Sequence, residues 1–129
     1  MMNKERFLQY IKDFNKGAYR EVFSTYYTKD AIFETPDVRW EGQERIIDFI
    51  LKGHKGVHET LTVKNMLIES DRIAVELEAK MQVTADRPDH HIRPSKKGEV
   101  FFIYQCAFYD IEDDKFFDVR VYRRKVTVL

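Results

Sequence analysis

The sequence has one cysteine, no net charge and no long hydrophobic run. The single cysteine, Cys106, excludes an internal disulfide and is typical of a reducing compartment. No apolar stretch is long enough to span a membrane, and the N-terminal segment carries charges where a signal peptide needs an apolar run. We therefore expect a soluble cytoplasmic protein with no membrane partner.

The balance of charge also argues against one class of partner. Lysine and arginine together number 22, as do aspartate and glutamate, so the formal net charge is zero. This argues against bulk electrostatic binding of nucleic acid. A basic cluster at positions 120–125 lies on a predicted strand, which would divide its charges between two faces. We expect no nucleic-acid partner.

The length and composition predict one domain over residues 1–129. A chain of this length suits one hydrophobic core, and no internal repeat or linker interrupts it. Hydrophobic residues make up 43% of the sequence and aromatic residues 14%, which is enough to fill a core and to wall a pocket.

The first half of the sequence is predicted to be mainly helical. Apolar residues recur at helical spacing over 7–14, 19–26 and 46–50. An alternating strand over residues 30–35 separates the second and third helices. It ends at Pro36, because proline has no amide hydrogen to donate to a strand ladder.

The second half is predicted to be a sheet. Four strands are expected, over residues 59–69, 72–84, 99–110 and 116–128, and a long polar connection joins the second to the third. Helices followed by a long antiparallel sheet define the α+β class. With three helices on one face of a single sheet, the other face is left open.

The strand over residues 99–110 is apolar on both faces, so both faces should be covered. We assign the face with Phe102, Tyr104 and Cys106 to the interior. The opposite face then needs a partner, and the simplest one is a second copy of the chain in a homodimer. That outer face is predicted to consist of Phe101, Ile103, Ala107 and Tyr109.

The order of these elements resembles the nuclear transport factor 2-like superfamily, in particular the SnoaL-like polyketide cyclases and ketosteroid isomerases. The similarity covers nearly the whole chain and is carried by "YIKDFNKGAY", "YYTKDAIFETP", "FYDIEDDKFFDVRVY" and Gly42 at the start of the third helix. It implies a cone-shaped, cystatin-like α+β fold. In such a fold, helices pack in the concave face of a curved, mixed and largely antiparallel sheet and leave a deep pocket.

The resemblance also implies which side chains to test for catalysis. Ketosteroid isomerases use a tyrosine of the first helix, an aspartate base just before the proline, and an aspartate on the penultimate strand. The matching positions here are Tyr10, Thr35 and Cys106. Threonine cannot replace a general base, which is typically worth ~10²–10⁴ in rate, and a thiol is a weak donor. We therefore expect no ketosteroid isomerase activity.

The pattern of the cyclases is not met either. The cyclases use a histidine and an aspartate on the last strands, and the inward face of the last strand here has Val119 and Val121 at those positions.

Three side chains are candidates for proton transfer in the pocket. They are Tyr10, Glu59, whose alternation with Leu61 points it inward, and Asp37, which could reach back over the pocket mouth. Each has a structural alternative: a core tyrosine, a solvated strand end and an exposed loop aspartate. The remaining pocket lining is predicted to be Phe14, Phe33, Thr35, Trp40, Leu77, Phe102, Tyr104 and Cys106.

The histidines do not predict a metal site. His54 and His58 are four residues apart, but the glycines around them argue against a helix that would bring them together. His90 and His91 lie in a polar connection without fixed geometry. No phosphate loop or dinucleotide motif is visible, so we expect neither a metal nor a cofactor.

Two functional classes remain open. The first is a cofactor-free cyclase, isomerase or dehydratase that acts on a small hydrophobic carbonyl compound. The second is a non-catalytic module for ligand binding or dimerisation. A convergent pair of titratable groups in the pocket would favour the first class, and the sequence supplies only Tyr10 and Glu59 for that role.

Overall fold

The computed structural model describes residues 2–129 as three helices and one six-stranded sheet. The helices are α1 (Lys4–Asn15), α2 (Tyr19–Tyr26) and α3 (Gln43–Gly53). The strands are β1 (Tyr27–Glu34), β2 (Arg39–Glu41), β3 (Val57–Ile68), β4 (Arg72–Val83), β5 (Val100–Glu112) and β6 (Lys115–Val128). The predicted α+β class is confirmed. Within residues 2–129, no helix is both long and apolar enough to cross a lipid bilayer.

The strand order is β2-β1-β6-β5-β4-β3, and the sheet is curved, mixed and largely antiparallel. Only β1 and β6 pair in parallel among the described strands. The chain reaches β1 before α3 and crosses over to β3 on the far edge, so that α3 joins the two ends of the sheet. The helices lie on one face, as predicted, and the core lies between them and the sheet.

The first helix forms where its local signals predict it. The side chain of Asn3 caps α1 by accepting a hydrogen bond from the amide of Arg6 at 2.8 Å. Phe7, Tyr10, Ile11 and Phe14 are buried along one stripe. Gly17 follows with a φ of +87°, the left-handed conformation that a helix end favours. The amphipathic stripe therefore sets the rotation of α1 and turns Tyr10 towards the sheet.

The assignment of the two faces of β5 was wrong. Phe101 and Ala107 are fully buried against the helices, as are Ile103 and Tyr109 at 4% exposure. Phe102, Tyr104 and Cys106 are half-buried on the outer face. Both faces of this strand are apolar, so its own alternation could not choose between them, and an offset of one residue reverses every side chain.

Two connections are more ordered than the sequence indicated. Trp40, predicted to lie in a loop, belongs to strand β2 and pairs with Phe33 of β1. The polar connection between β4 and β5 folds back on itself, with two backbone hydrogen bonds between Arg87 and Ser95 at 2.7 and 2.9 Å. In that segment His90 and Ser95 are buried, at 5% and 3% exposure. The β4–β5 connection is thus part of the core.

Candidate functional site

A cavity of about 100 Å³ lies between the helices and the inner face of the sheet. Its wall is mainly aromatic and aliphatic, with a few polar side chains. It is closed on one side by the connection between β4 and β5. Of the residues that the sequence predicts for the site, the structure places six on this wall: Tyr10, Phe14, Phe33, Thr35, Glu59 and Leu77.

Five other predicted site residues lie elsewhere. Phe102, Tyr104 and Cys106 are on the outer face of β5, because the strand turns its other face inward. Trp40 lines a separate surface depression that shares Phe49, Gly53 and His91 with the cavity wall. The carboxylate of Asp37 is paired with Arg123 at 2.6 Å and is not part of the wall. Asp37 is therefore not available as a displaced base.

A buried histidine–glutamate pair forms part of the wall. Nε2 of His54 lies 2.6 Å from Oε1 of Glu59, and the two side chains are 9% and 13% exposed. His54 is the C-cap of α3 and Glu59 is the third residue of β3. Gly56, with a φ of +76°, makes the sharp turn between them. The turn brings an imidazole and a carboxyl group together in an apolar environment.

The partners of His54 determine its protons. Nδ1 lies 2.6 Å from the carbonyl oxygen of Ile50, which can only accept, so Nδ1 must donate. Nε2 and Glu59 then share one proton. Burial lowers the pKa of His54, whereas the hydrogen bond and the charge of Glu59, together with the Ile50 carbonyl, raise it, and the net direction is upward. His54 is thus protonated more readily than an ordinary histidine.

Three buried tyrosines lie close together beside this pair. The hydroxyls of Tyr10 and Tyr27 are 2.8 Å apart and hydrogen-bonded, and the ring of Tyr109 packs against that of Tyr10 at 6.0 Å between centroids. Burial is the main reason why the pKa of each of the three is raised, so all are neutral donors near neutral pH. Tyr10 and Tyr109 line the cavity together with Glu59, whose negative charge contributes to raising the pKa of both tyrosines.

The positions of the three hydroxyls assign different roles to the tyrosines. Tyr10 and Tyr27 engage each other, and either can be the donor of that hydrogen bond. Tyr109 lies on the cavity wall, whereas Tyr27 is not among the residues that line it. Tyr109, which the sequence placed on the outer face, is therefore the candidate donor to a ligand.

The β4–β5 connection supplies His90, His91 and Ile92 to the wall. The imidazole of His90 hydrogen-bonds through Nε2 to the carbonyl oxygen of Gly53 at 2.9 Å, and His91 stacks on it at 4.6 Å between ring centroids. Burial is the main reason why the pKa of His90 is lowered and that of His91 falls to about 4. Both rings are therefore neutral near neutral pH and act as wall.

Thr35 has a structural role at the end of β1. Its hydroxyl oxygen accepts hydrogen bonds from the amides of Asp37 and Val38, both at 3.2 Å. This arrangement closes the turn around Pro36, as threonine hydroxyls commonly do. At the position where a ketosteroid isomerase has its base, this chain has a turn residue.

Sequence reasoning missed the role of His54 and the contributions of Gln105, Arg123 and the β4–β5 connection. His54 was considered only as a metal ligand with His58. Within residues 2–129, no three histidine, cysteine, aspartate or glutamate side chains converge as a metal site would require. The spacing of His54 and Glu59 on either side of a glycine turn was a usable signal. The burial of His90 in a proline-containing loop could not be predicted from the sequence.

A cone of three helices in a curved, mixed six-stranded sheet, with an apolar cavity holding a few convergent polar groups, defines the class of nuclear transport factor 2-like proteins. Within that class, the chain belongs to the SnoaL-like domain family, which it matches over residues 7–119. A comparison with curated protein sequences finds no match.

Solved structures share the fold at low sequence identity. A proposed polyketide cyclase from Xanthomonas campestris pv. campestris is 17% identical, with a TM-score of 0.77 over 89% of this chain and 84% of that one. A second, from Pseudomonas putida KT2440, is 23% identical, with a TM-score of 0.76 over 89% and 86%. AclR, a proposed hydroxylase from Streptomyces galilaeus, is 15% identical, with a TM-score of 0.75 over 94% and 87%. These likenesses show the fold.

Proposed function

We propose that the cavity binds a small, mainly apolar carbonyl compound and that Glu59 transfers a proton on it. The observation that carries the proposal is a carboxylate in an apolar wall, 13% exposed, with one oxygen held by His54. The other oxygen of Glu59 has no hydrogen-bond partner among residues 2–129. A buried group that is only half satisfied in a cavity is a candidate for chemistry.

The size of the cavity limits the ligand. At about 100 Å³ it is smaller than the roughly 300–1,000 Å³ of pockets for drug-sized molecules. An engineered apolar cavity of about 150 Å³ holds benzene, so a single ring is the upper limit for this cavity. We therefore assign a ligand no larger than a single ring, smaller than a multi-ring polyketide.

The polar groups suggest a reaction in which a proton next to a carbonyl is moved. The carboxylate of Glu59 takes the proton from the carbon beside the carbonyl, and the O–H of Tyr109 donates to the oxygen that becomes negative. Glu59 then returns the proton to another atom, which completes an isomerisation, a ring closure or the loss of water. No cofactor is needed for these steps. The descriptions of two similar structures as proposed polyketide cyclases support this reaction type.

Cyclohexanone provides a direct test, because it fits the proposed size and its α-hydrogens exchange with D₂O through an enol. NMR should show that the protein binds it and accelerates its deuterium uptake above the buffer rate. Glu59→Gln should reduce that acceleration by ~10²–10⁴, the usual contribution of a general base. Glu21→Gln, at an exposed position on α2, is the matched control and should leave the rate unchanged. Failure of cyclohexanone to bind at millimolar concentration would contradict the proposal.

The alternative function is non-catalytic binding of the same kind of molecule. It is favoured by one observation, that the hydroxyl of Tyr10 is already engaged by that of Tyr27 at 2.8 Å. The cyclohexanone experiment separates the two functions, since binding without accelerated exchange in the wild type would establish the second.

We also propose that the outer face of the sheet pairs with a second copy of the chain. Phe102, Tyr104, Cys106 and Phe108 form a half-buried apolar stripe along β5. Acidic side chains of β4 flank it on one side, where Glu76 and Glu78 pair with Cys106 and Tyr104. Basic side chains of β6 flank it on the other side, where Arg120 and Lys125 pair with Phe108 and Tyr104.

Around Tyr104 and Cys106 this charge pattern is self-complementary, whereas Lys80 makes the same edge basic opposite Phe102. A two-fold axis along β5 would set the acidic edge of one copy against the basic edge of the other and bury both stripes. The free thiol of Cys106 would lie within this interface and suits the reducing cytoplasm in which we propose that the protein works.

A further inference from the structure

Both nitrogens of His54 are engaged, so this residue cannot bind a ligand directly and must act through its neighbour. We propose that His54 is a positioning residue: an imidazolium at the C-terminus of α3 that holds Glu59 as an oriented carboxylate ready to accept a proton from the ligand. This inference rests on the proposed function, in which Glu59 is the base, and says how that base is held.

Three features of the structure make His54 suitable as a fixed cation. It is the C-cap of α3, where the helix dipole favours positive charge. Its Nδ1 donates to the Ile50 carbonyl at 2.6 Å, which binds the ring to the helix end. The ring also packs on Tyr19 at 4.3 Å and against the edge of Phe14 at 5.8 Å between centroids. Nε2 is therefore held on Glu59 with little freedom to rotate.

The surrounding groups do not compete for this role. The pKa values of the nearby histidines are lowered and those of the nearby tyrosines are raised, in each case mainly by burial, so these groups are neutral near neutral pH. The guanidinium at the far end of the wall is already paired with Asp37. With these groups neutral, a change of charge on the cavity wall beside the pair is assigned to the pair itself. The titratable or charged groups that face it are Tyr10, Tyr19, Tyr109, His90, His91 and Arg123.

The first experiment needs no ligand. Long-range ¹H–¹⁵N NMR of the full chain should show both ring nitrogens of His54 protonated at pH 7, with a titration midpoint above 6.5. In Glu59→Gln the midpoint should fall below 6.5, because burial then acts without an opposing negative charge. Each unit of that fall is a tenfold loss in the ratio of charged to neutral imidazole. A neutral His54 at pH 7 in the wild type would overturn the inference.

The second experiment tests how His54 acts on Glu59. His54→Phe retains the ring contacts but removes the donor. It should lower kcat for cyclohexanone exchange and move the acid limb of the rate–pH profile to higher pH, with KM nearly unchanged. His54→Gln should recover part of the rate, because its amide can donate to Glu59. The control is His58→Phe, at an exposed position on β3, which should change neither the rate nor the profile.

Failure of this inference can be distinguished from failure of the proposed function. If the wild type does not bind cyclohexanone, the proposed function fails, while the NMR titration still decides whether the charged pair exists. If Glu59→Gln abolishes exchange but His54→Phe leaves the rate and the pH profile unchanged, the function stands and His54 has no positioning role.

Discussion

Hydroxyl partners decide which tyrosine can serve the cavity. Tyr10 was the natural candidate, because it lies on the inward stripe of α1 and matches the isomerase tyrosine. In the structure its hydroxyl is hydrogen-bonded to that of Tyr27 at 2.8 Å. The side chain is 2% exposed, and six aromatic rings pack around it within 6.4 Å between centroids. We infer that Tyr10 is mainly a core residue and that Tyr109 is the donor to the cavity.

A double-mutant cycle tests the hydrogen bond between the hydroxyls of Tyr10 and Tyr27. Tyr10→Phe should destabilise the fold by ~1–3 kcal/mol, because it leaves the buried hydroxyl of Tyr27 without its partner. Tyr27→Phe should cost a similar amount. The double variant should cost clearly less than the sum, since no unpaired hydroxyl then remains on that side. Urea unfolding measures all three, and additive losses would show that the two hydroxyls do not interact.

At the scale of elements, β5 shows why a strand with two apolar faces needs its neighbours to be interpreted. The apolar alternation of β4 places Ile73, Val75, Ala79 and Met81 inside. Residues directly opposite in a ladder share a face, and these pair with Tyr109, Ala107, Ile103 and Phe101. The inward face of β5 therefore follows from the pattern of β4 once the register between the two strands is known.

Two adjacent phenylalanines provide a matched test of this face assignment. Phe101→Asp should cost at least ~3 kcal/mol and leave little folded protein, because it empties a core position and buries a charge. Phe102→Asp should cost ~1 kcal/mol or less in the monomer, because its side chain is half-exposed and lies opposite Lys80. Circular dichroism and urea unfolding report the difference. Equal destabilisation by the two substitutions would contradict the observed register.

The β4–β5 connection shows a second effect at this scale. Its polar composition indicated an exposed loop, yet the guanidinium of Arg87 donates to the carbonyl oxygens of Lys52, in the last turn of α3, and of Lys55, just after it. These carbonyls lie at the end of a helix and need donors from elsewhere. The connection therefore caps α3 through Arg87 and walls the cavity through His90, His91 and Ile92.

At the scale of the whole molecule, the open outer face of the sheet predicts the state of association. Sedimentation at micromolar concentration should give a dimer, because pairing covers the stripe of Phe102, Tyr104 and Phe108. Phe102→Asp should give a folded monomer, because it places a charge in the middle of the apolar contact. Tyr26→Phe, on the opposite side of the sheet, is the control and should remain dimeric. A wild type that sediments as a monomer would contradict the proposed interface.

The sequence by itself determined the elements and much of the class. Helical stripes, the Asn3 cap, the stop at Pro36 and the alternation of β4 all act over a few residues, so they can be interpreted without knowledge of the fold. These signals predicted three helices and the four long strands within a few residues of their observed ends. They also raised the possibility that Glu59 points inward, because it shares the alternation of Leu61 and Val63, with a solvated strand end as the alternative.

Tertiary structure decided what depends on pairing between distant segments. The inward face of β5 required its register with β4, and the short strand β2 required an unpaired edge of β1. The role of Tyr109 required β5 to turn this side chain towards the cavity, next to Tyr10 of α1. The role of His54 required a helix end, a glycine turn and a strand to enclose one buried proton. Local periodicity specifies which side chains are buried together on one element, but the partner of each buried polar group is set by the packing of the elements.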